Sequence, residues 1–149
     1  MRAFRLIAES LRELFASSPP PDPNRRMHAA NITRGTVLAS SLEVADSGPA
    51  RNKGLLNRDG LEPGGGLWII PCQSVHTFFM QFPIDLVYLD ARKRVRKVKS
   101  AVGPGRISLC LTAQSVIELP AGTIRETQTQ RGDTLVIEMA ESAEPAPTP

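Results

Sequence analysis

The run Ile84–Asp90 (IDLVYLD) constrains this chain more than any other stretch. Ile84, Leu86 and Tyr88 would share one face of a strand, and Asp85, Val87 and Leu89 the other. Both faces are largely apolar, so both must be covered, and such a strand belongs near the centre of a sheet. Around it the chain is cut into short pieces by thirteen Pro and eleven Gly. With only five Phe, one Tyr and one Trp, the core must be built mainly from Val, Leu and Ile.

The remaining patterning is also that of strands and turns. Residues 36–44 (TVLASSLEV) read as one extended strand with a bulge at Ser40 and Ser41. Residues 51–58 allow one or two helical turns with Leu55 and Leu56 facing inward. Residues 67–70 (LWII) read as a buried strand stopped by Pro71, and 75–80 (VHTFFM) as another. Asp90 and the charged residues after it make a reversal into a strand over 94–102, which GPG at 103–105 breaks. Strands follow at 115–119 and 134–139, with a helical turn near Thr123 and a tight turn at Arg131–Asp133. Short strands punctuated by Gly and Pro predict a mostly β fold, a compact sandwich or partly closed barrel with one to three short helices.

At 149 residues the chain is one domain by size. The folded unit is expected over 31–139. Residues 1–16 carry Phe4, Ile7, Leu11 and Leu14 at helical spacing and read as an amphipathic helix. Residues 17–30, with the run SSPPPDPN, read as a Pro-rich linker, and 140–149 as a disordered acidic tail.

Charge excludes some functions. The formal net charge is +3 and no segment has the overwhelming excess of a dedicated nucleic-acid binder. No stretch approaches the ~20 apolar residues of a membrane span. The N-terminal apolar residues are interrupted by Glu9, Arg12 and Glu13, which is unlike a signal peptide, so a cytoplasmic location is expected. Two cysteines are few for an oxidised scaffold, and free thiols are expected.

A set of ordered motifs then resembles one family. Arg51, Gly54, Leu55 and Arg58 form an R-x-x-GLL-x-R element. Leu61, Pro63 and GGGLWIIP follow, then HTFFMQFPIDLVYLD at 76–90, VIELPAG at 116–122 and RGD at 131–133. From Ala45 to Ile137 the chain resembles the prokaryotic family called domain of unknown function 192. The resemblance implies a compact β-rich fold with short helices and no established activity. Many relatives look exported, from which this chain departs. It also carries Phe79 where many relatives have Trp, so an aromatic ring gating a cleft would be smaller here.

Several residues are candidates for chemistry. Cys72 and His76 lie four apart across a turn, where an imidazole could activate a thiol. Their spacing also fits two metal ligands, which is too few, so neither a metal nor a cofactor is expected. Asp85 inside an apolar strand must be paired, or must serve as an acid or base. Glu118, between Ile117 and Leu119, poses the same choice. Six bases between Arg92 and Lys99 read as an edge strand guarded by charge.

The leading expectation is therefore a small binding or accessory domain. Its cleft is lined by Arg51, His76, Phe79, Asp85 and Glu118, for a small molecule or a protein partner. A hydrolase or thiol enzyme using Cys72, His76 and Asp85 is the second reading. An interaction protein using the N-terminal helix or the basic strand 92–99 is the third. A monomer or weak dimer is expected.

Overall fold

The computed structural model describes residues 24–141. The helix read over residues 1–16 lies outside the described residues, as does the tail from 142 onward. Nine strands and two short helices make up the described chain. In order they are β1 (Met27–Asn31), β2 (Thr36–Ala45), α1 (Gly48–Lys53), β3 (Gly65–Ile69), β4 (Ser74–His76), β5 (Ile84–Leu89), β6 (Val95–Val102), β7 (Ile107–Leu109), β8 (Ser115–Pro120), α2 (Thr123–Thr127) and β9 (Leu135–Met139).

Seven strands form one curled sheet in the order β6-β5-β8-β3-β2-β1-β9. β4 and β7 pair separately as a short antiparallel ribbon. The main sheet is antiparallel except between β2 and β3, whose parallel connection passes through α1. The fold is mostly β, as the patterning predicts.

β5 sits inside the sheet, and all six of its residues are buried. Its two apolar faces feed two cores. On one side Val87 and Leu89 join Trp68, Ile117, Leu119, Leu38 and Leu42. On the other, Ile84, Leu86 and Tyr88 join Leu67, Ile69, Val116 and the residues under the ribbon, Val75, Met80 and Cys110. Gly66 makes this close layering feasible. A Cβ there would stand 2.9 Å from the Glu118 carbonyl oxygen and 3.0 Å from the side chains of Leu119 and Leu42.

β6 ends the strand order, as its charge suggests, although its start is joined to the turn into β9 by backbone bonds such as Val95 N–H to the Asp133 carbonyl at 2.8 Å. The basic run does not alternate evenly, because residues 91–94 form the hairpin. Asp90 Oδ1 accepts the backbone N–H groups of Arg92 and Arg94 at 2.9 and 3.0 Å.

Three elements differ from the sequence expectation. The sheet begins at Met27, inside the stretch read as linker, and β1 lies between β2 and β9. Its residues (MHAAN) include Ala and Asn, which have little strand preference, and register against two neighbours holds them. The strand read over 75–80 ends at His76. Thr77 Oγ1 donates to the Gly103 carbonyl at 2.7 Å and accepts from the Arg106 N–H at 2.9 Å, and the chain turns. β7 carries no alternating pattern long enough to be seen, and it exists through its pairing with β4.

Asn31 and Asp133 close the far end of the sheet. Asp133 accepts from Asn31 Nδ2 at 3.0 Å, from Arg34 through two bonds of 3.1 and 3.2 Å, and from the Gln130 N–H at 3.0 Å. Burial works against its charge, but these donors outweigh it and hold its pKa below the usual carboxylate value. The Asp of the RGD turn thus ties β9 to the β1–β2 hairpin.

Candidate functional site

One cleft of about 530 Å3 opens between α1 and the segment leading into β4. Its apolar walls are Leu55, Ile69, Val75 and Met80, and its polar rim includes Arg51, Lys53, Gln73 and His76. α1 positions the cationic side. Ser47 Oγ accepts from the Ala50 N–H at 3.2 Å and starts the helix, and Gly54 (φ 48°) ends it. Arg51 is anchored by a 2.9 Å bond from its Nη1 to the Asp46 carbonyl. Beyond the cis bond between Ile70 and Pro71, Cys72 lies on the opposite wall.

Glu118 forms part of the cleft lining from β8. It is only 4% exposed, and its Oε2 has no hydrogen-bond partner among the described residues. Burial raises its pKa to about 7, with the charge of Arg58 acting weakly in the other direction. Arg58 is already committed. It holds Glu43 through bonds of 2.6 and 3.1 Å. That hydrogen bonding lowers the Glu43 pKa against the effect of burial.

Of the residues singled out from sequence, Arg51, Cys72, His76 and Glu118 line this one cleft. Asp85 and Phe79 are not part of its lining. Asp85 is fully buried and spends both oxygens on backbone donors. Oδ1 accepts from Ala101 N–H at 2.8 Å. Oδ2 accepts from Gly122 N–H at 3.1 Å and Ile124 N–H at 2.8 Å. It caps α2 from a distant strand, because the helix's own N-cap is Gly122 and offers no side chain. The register explains why it cannot join Glu118. Asp85 pairs with Leu119 and Glu118 pairs with Leu86, so the two carboxylates point to opposite faces of the sheet.

Phe79 stands outside the cleft, 91% exposed and at φ 64°. The ring next to the cleft is Phe78, which stacks on His76 at 5.5 Å between centroids.

Cys72 and His76 share the cleft without a hydrogen bond between them among the described residues. The Cys72 thiol donates to the Ser74 carbonyl at 3.0 Å. Burial raises its pKa, with the backbone hydrogen bonding at Ser74 and the charge of Arg51 opposing the rise and Glu118 adding to it. A thiol so held stays protonated at neutral pH and is a weak nucleophile. Among the described residues no group of three His, Cys, Asp or Glu side chains is placed to hold a metal ion.

Lys53 and Gln73 were missed from sequence. Lys53 sits inside the R-x-x-G element, whose helical spacing could have brought it in beside Arg51. Gln73 carries no such signal.

The motifs seen in the sequence can now be placed. The R-x-x-GLL-x-R element builds the α1 wall, and VIELPAG carries Glu118 and the α2 start. The family model DUF192, described as uncharacterized ACR, matches residues 29–137. The chain belongs to the DUF192 family. Among curated relatives, a UPF0127 protein of Thermococcus gammatolerans is 30% identical over 119 residues, covering 76% of this chain and 77% of that protein. A UPF0127 protein of Thermococcus kodakarensis is 29% identical over 110 residues, covering 70% and 69%. Two solved structures share the DUF192 architecture seen here. A protein of unknown function from Novosphingobium aromaticivorans has a TM-score of 0.62 at 17% identity, over 81% of this chain and 94% of that one. A protein from Sinorhizobium meliloti, named as a candidate transcription regulator, has a TM-score of 0.66 at 20% identity, over 75% and 92%. At these identities the likeness concerns the fold alone.

Proposed function

We propose that the chain is a small binding or accessory domain that takes a small molecule in the Arg51–Glu118 cleft. The observation that carries this reading is the Glu118 carboxyl, which is buried, lines the cleft from β8 and has an Oε2 without a hydrogen-bond partner among the described residues. An orphaned buried acid is costly to a fold, and a ligand donor would satisfy it. The ligand chemistry that fits is an amine or hydroxyl group directed at Glu118, on a body small enough for about 530 Å3. An anionic or polar end of the same molecule would meet Arg51 and Lys53 at the rim.

The thiol-enzyme reading gains nothing from the cleft, since burial pushes the thiol away from ionisation and its hydrogen bond goes to the Ser74 carbonyl and not to His76. No helix among the described residues is long and apolar enough to cross a membrane. A cytoplasmic working place belongs to the same proposal and is supported by Cys72 and Cys110 both being free thiols.

The test is a fragment screen by amide chemical-shift perturbation, using amines, polyols and amino acids. Hits should move the amides of residues 72–76 and 117–119. An amine hit should bind more tightly as pH rises through about 7, where Glu118 ionises. Glu118→Gln should flatten that pH dependence. Hits that cluster elsewhere on the molecule, or a pH profile that Glu118→Gln leaves intact, would sink the reading.

A further inference from the structure

We propose that the outer face of the β4–β7 ribbon docks this protein on an anionic lipid surface, independently of what the cleft binds. Ile107 and Leu109 alternate outward along β7, and Leu111 follows two residues on. They are 71%, 49% and 71% exposed. Pairing of Ile107 with His76 puts the stacked His76–Phe78 rings beside this stripe. Phe79 extends the apolar set at 91% exposure. A phenylalanine at positive φ is strained, and a strained residue that also holds its ring in water contributes nothing to the core. A run of apolar side chains left outside both cores marks a surface with a partner.

Charge identifies the partner. Between Ala91 and Ile117 the chain carries seven Lys and Arg and no Asp or Glu, and residues 71–84 carry neither sign apart from His76. The register of β6 on β5 sets Lys97 opposite Tyr88 and Lys99 opposite Leu86, on the sheet face that the ribbon covers. Lys97 Nζ donates to the Leu109 carbonyl at 2.7 Å, and Arg96 Nε reaches Thr112 Oγ1 at 3.4 Å. Arg106 directly precedes the stripe. Apolar prongs bordered by bases match a bilayer interface, where the prongs enter the acyl boundary and the bases meet anionic headgroups. Three of the prongs, Ile107, Leu109 and Leu111, are aliphatic, and these suit acyl chains better than the bases of a nucleic acid, which stack on rings.

The experiment is co-sedimentation of the full chain with vesicles of phosphatidylcholine alone and with about one-third phosphatidylglycerol. The chain should partition to the anionic vesicles and be released by high salt. Lys99→Gln with Arg106→Gln should lower the partition coefficient about thirtyfold, from about a fivefold contribution per base near such a surface. Phe79→Ser with Leu111→Ser should lower it at least about tenfold. All four side chains are exposed, so an unchanged thermal melt confirms that each variant is folded. Equal binding to both vesicle types, or anionic binding that the Phe79/Leu111 variant retains, overturns the proposal. So does an absence of vesicle binding, whatever other polyanion the chain retains.

Discussion

Asp85 and Glu118 are two acids buried on neighbouring strands of one sheet, and they have opposite fates. Asp85 meets three backbone N–H groups and becomes a structural tie between β5, the end of β6 and α2. Glu118 sits one register step away on the other face, with an oxygen that nothing described in the chain satisfies. Both acids are buried, so the difference lies in donors and not in burial. A buried acid becomes part of the fold when loops bring it donors. It becomes a candidate site when the fold leaves it open to a cleft.

The largest expected effect tests the first half of that contrast. Asp85→Ala orphans three N–H groups and should cost about 3–5 kcal/mol in urea denaturation, a large share of the stability of a domain this size. Should the loss stay below about 1 kcal/mol, Asp85 is no tie and the contrast fails.

Glu118→Gln should act the other way. The folded-state pKa of about 7 lies above the ordinary 4.5, so the folded protein holds more protons between those values. The Glu118 contribution is therefore most favourable at low pH and declines as pH rises from about 4.5 through 7, by roughly 3 kcal/mol in all. The Gln variant should lose that slope and be the more stable protein at pH 8. Melting temperatures of both proteins across pH 4–8 would show it, and parallel curves would mean that Glu118 is satisfied after all.

Arg58→Ala should have a smaller effect. The Arg58–Glu43 pair is about one-third exposed at both ends, so screening limits it to about 0.5–1 kcal/mol. The Glu43 pKa is lowered, so that contribution is present above the ordinary carboxylate range and disappears as pH falls through the lowered value. Loss of the Arg58 charge should also move the Glu118 titration above about 7, which carboxyl NMR can follow. An unmoved midpoint would detach the Glu43–Arg58 pair from the cleft.

Phe79→Gly should give the smallest change, a gain of about 0.5–1 kcal/mol as positive φ is relieved. A loss of stability greater than 1 kcal/mol would return Phe79 to the core-building residues and away from the apolar surface.

Much of the scaffold was legible from local pattern. The two-faced apolar run at 84–89 marked a strand covered on both faces, although β5 lies second from one end of the sheet and not at its centre, and the basic run marked β6 at that end. β1 and β7 were not legible, because MHAAN and ISL have too little pattern of their own and become strands only against their neighbours. The site was legible in part. Arg51, Cys72, His76 and Glu118 stood out as chemistry-bearing residues, and they do line one cleft. Asp85 looked equivalent to Glu118 because each is an acid between apolar neighbours.

Local sequence therefore settled most strands of the main sheet, most of the turns and which side chains could do chemistry. These follow from short-range alternation and from the backbone limits of Gly and Pro. Tertiary structure alone decided which of those side chains meet. A shift of one residue in register moves a side chain to the other face of a sheet. The pairing of Asp85 with Leu119 depends on how segments more than thirty residues apart align. So does the arrival of Gly122 and Ile124 at the Asp85 carboxylate, where Ala101 joins them from β6, while Glu118 is left facing the cleft.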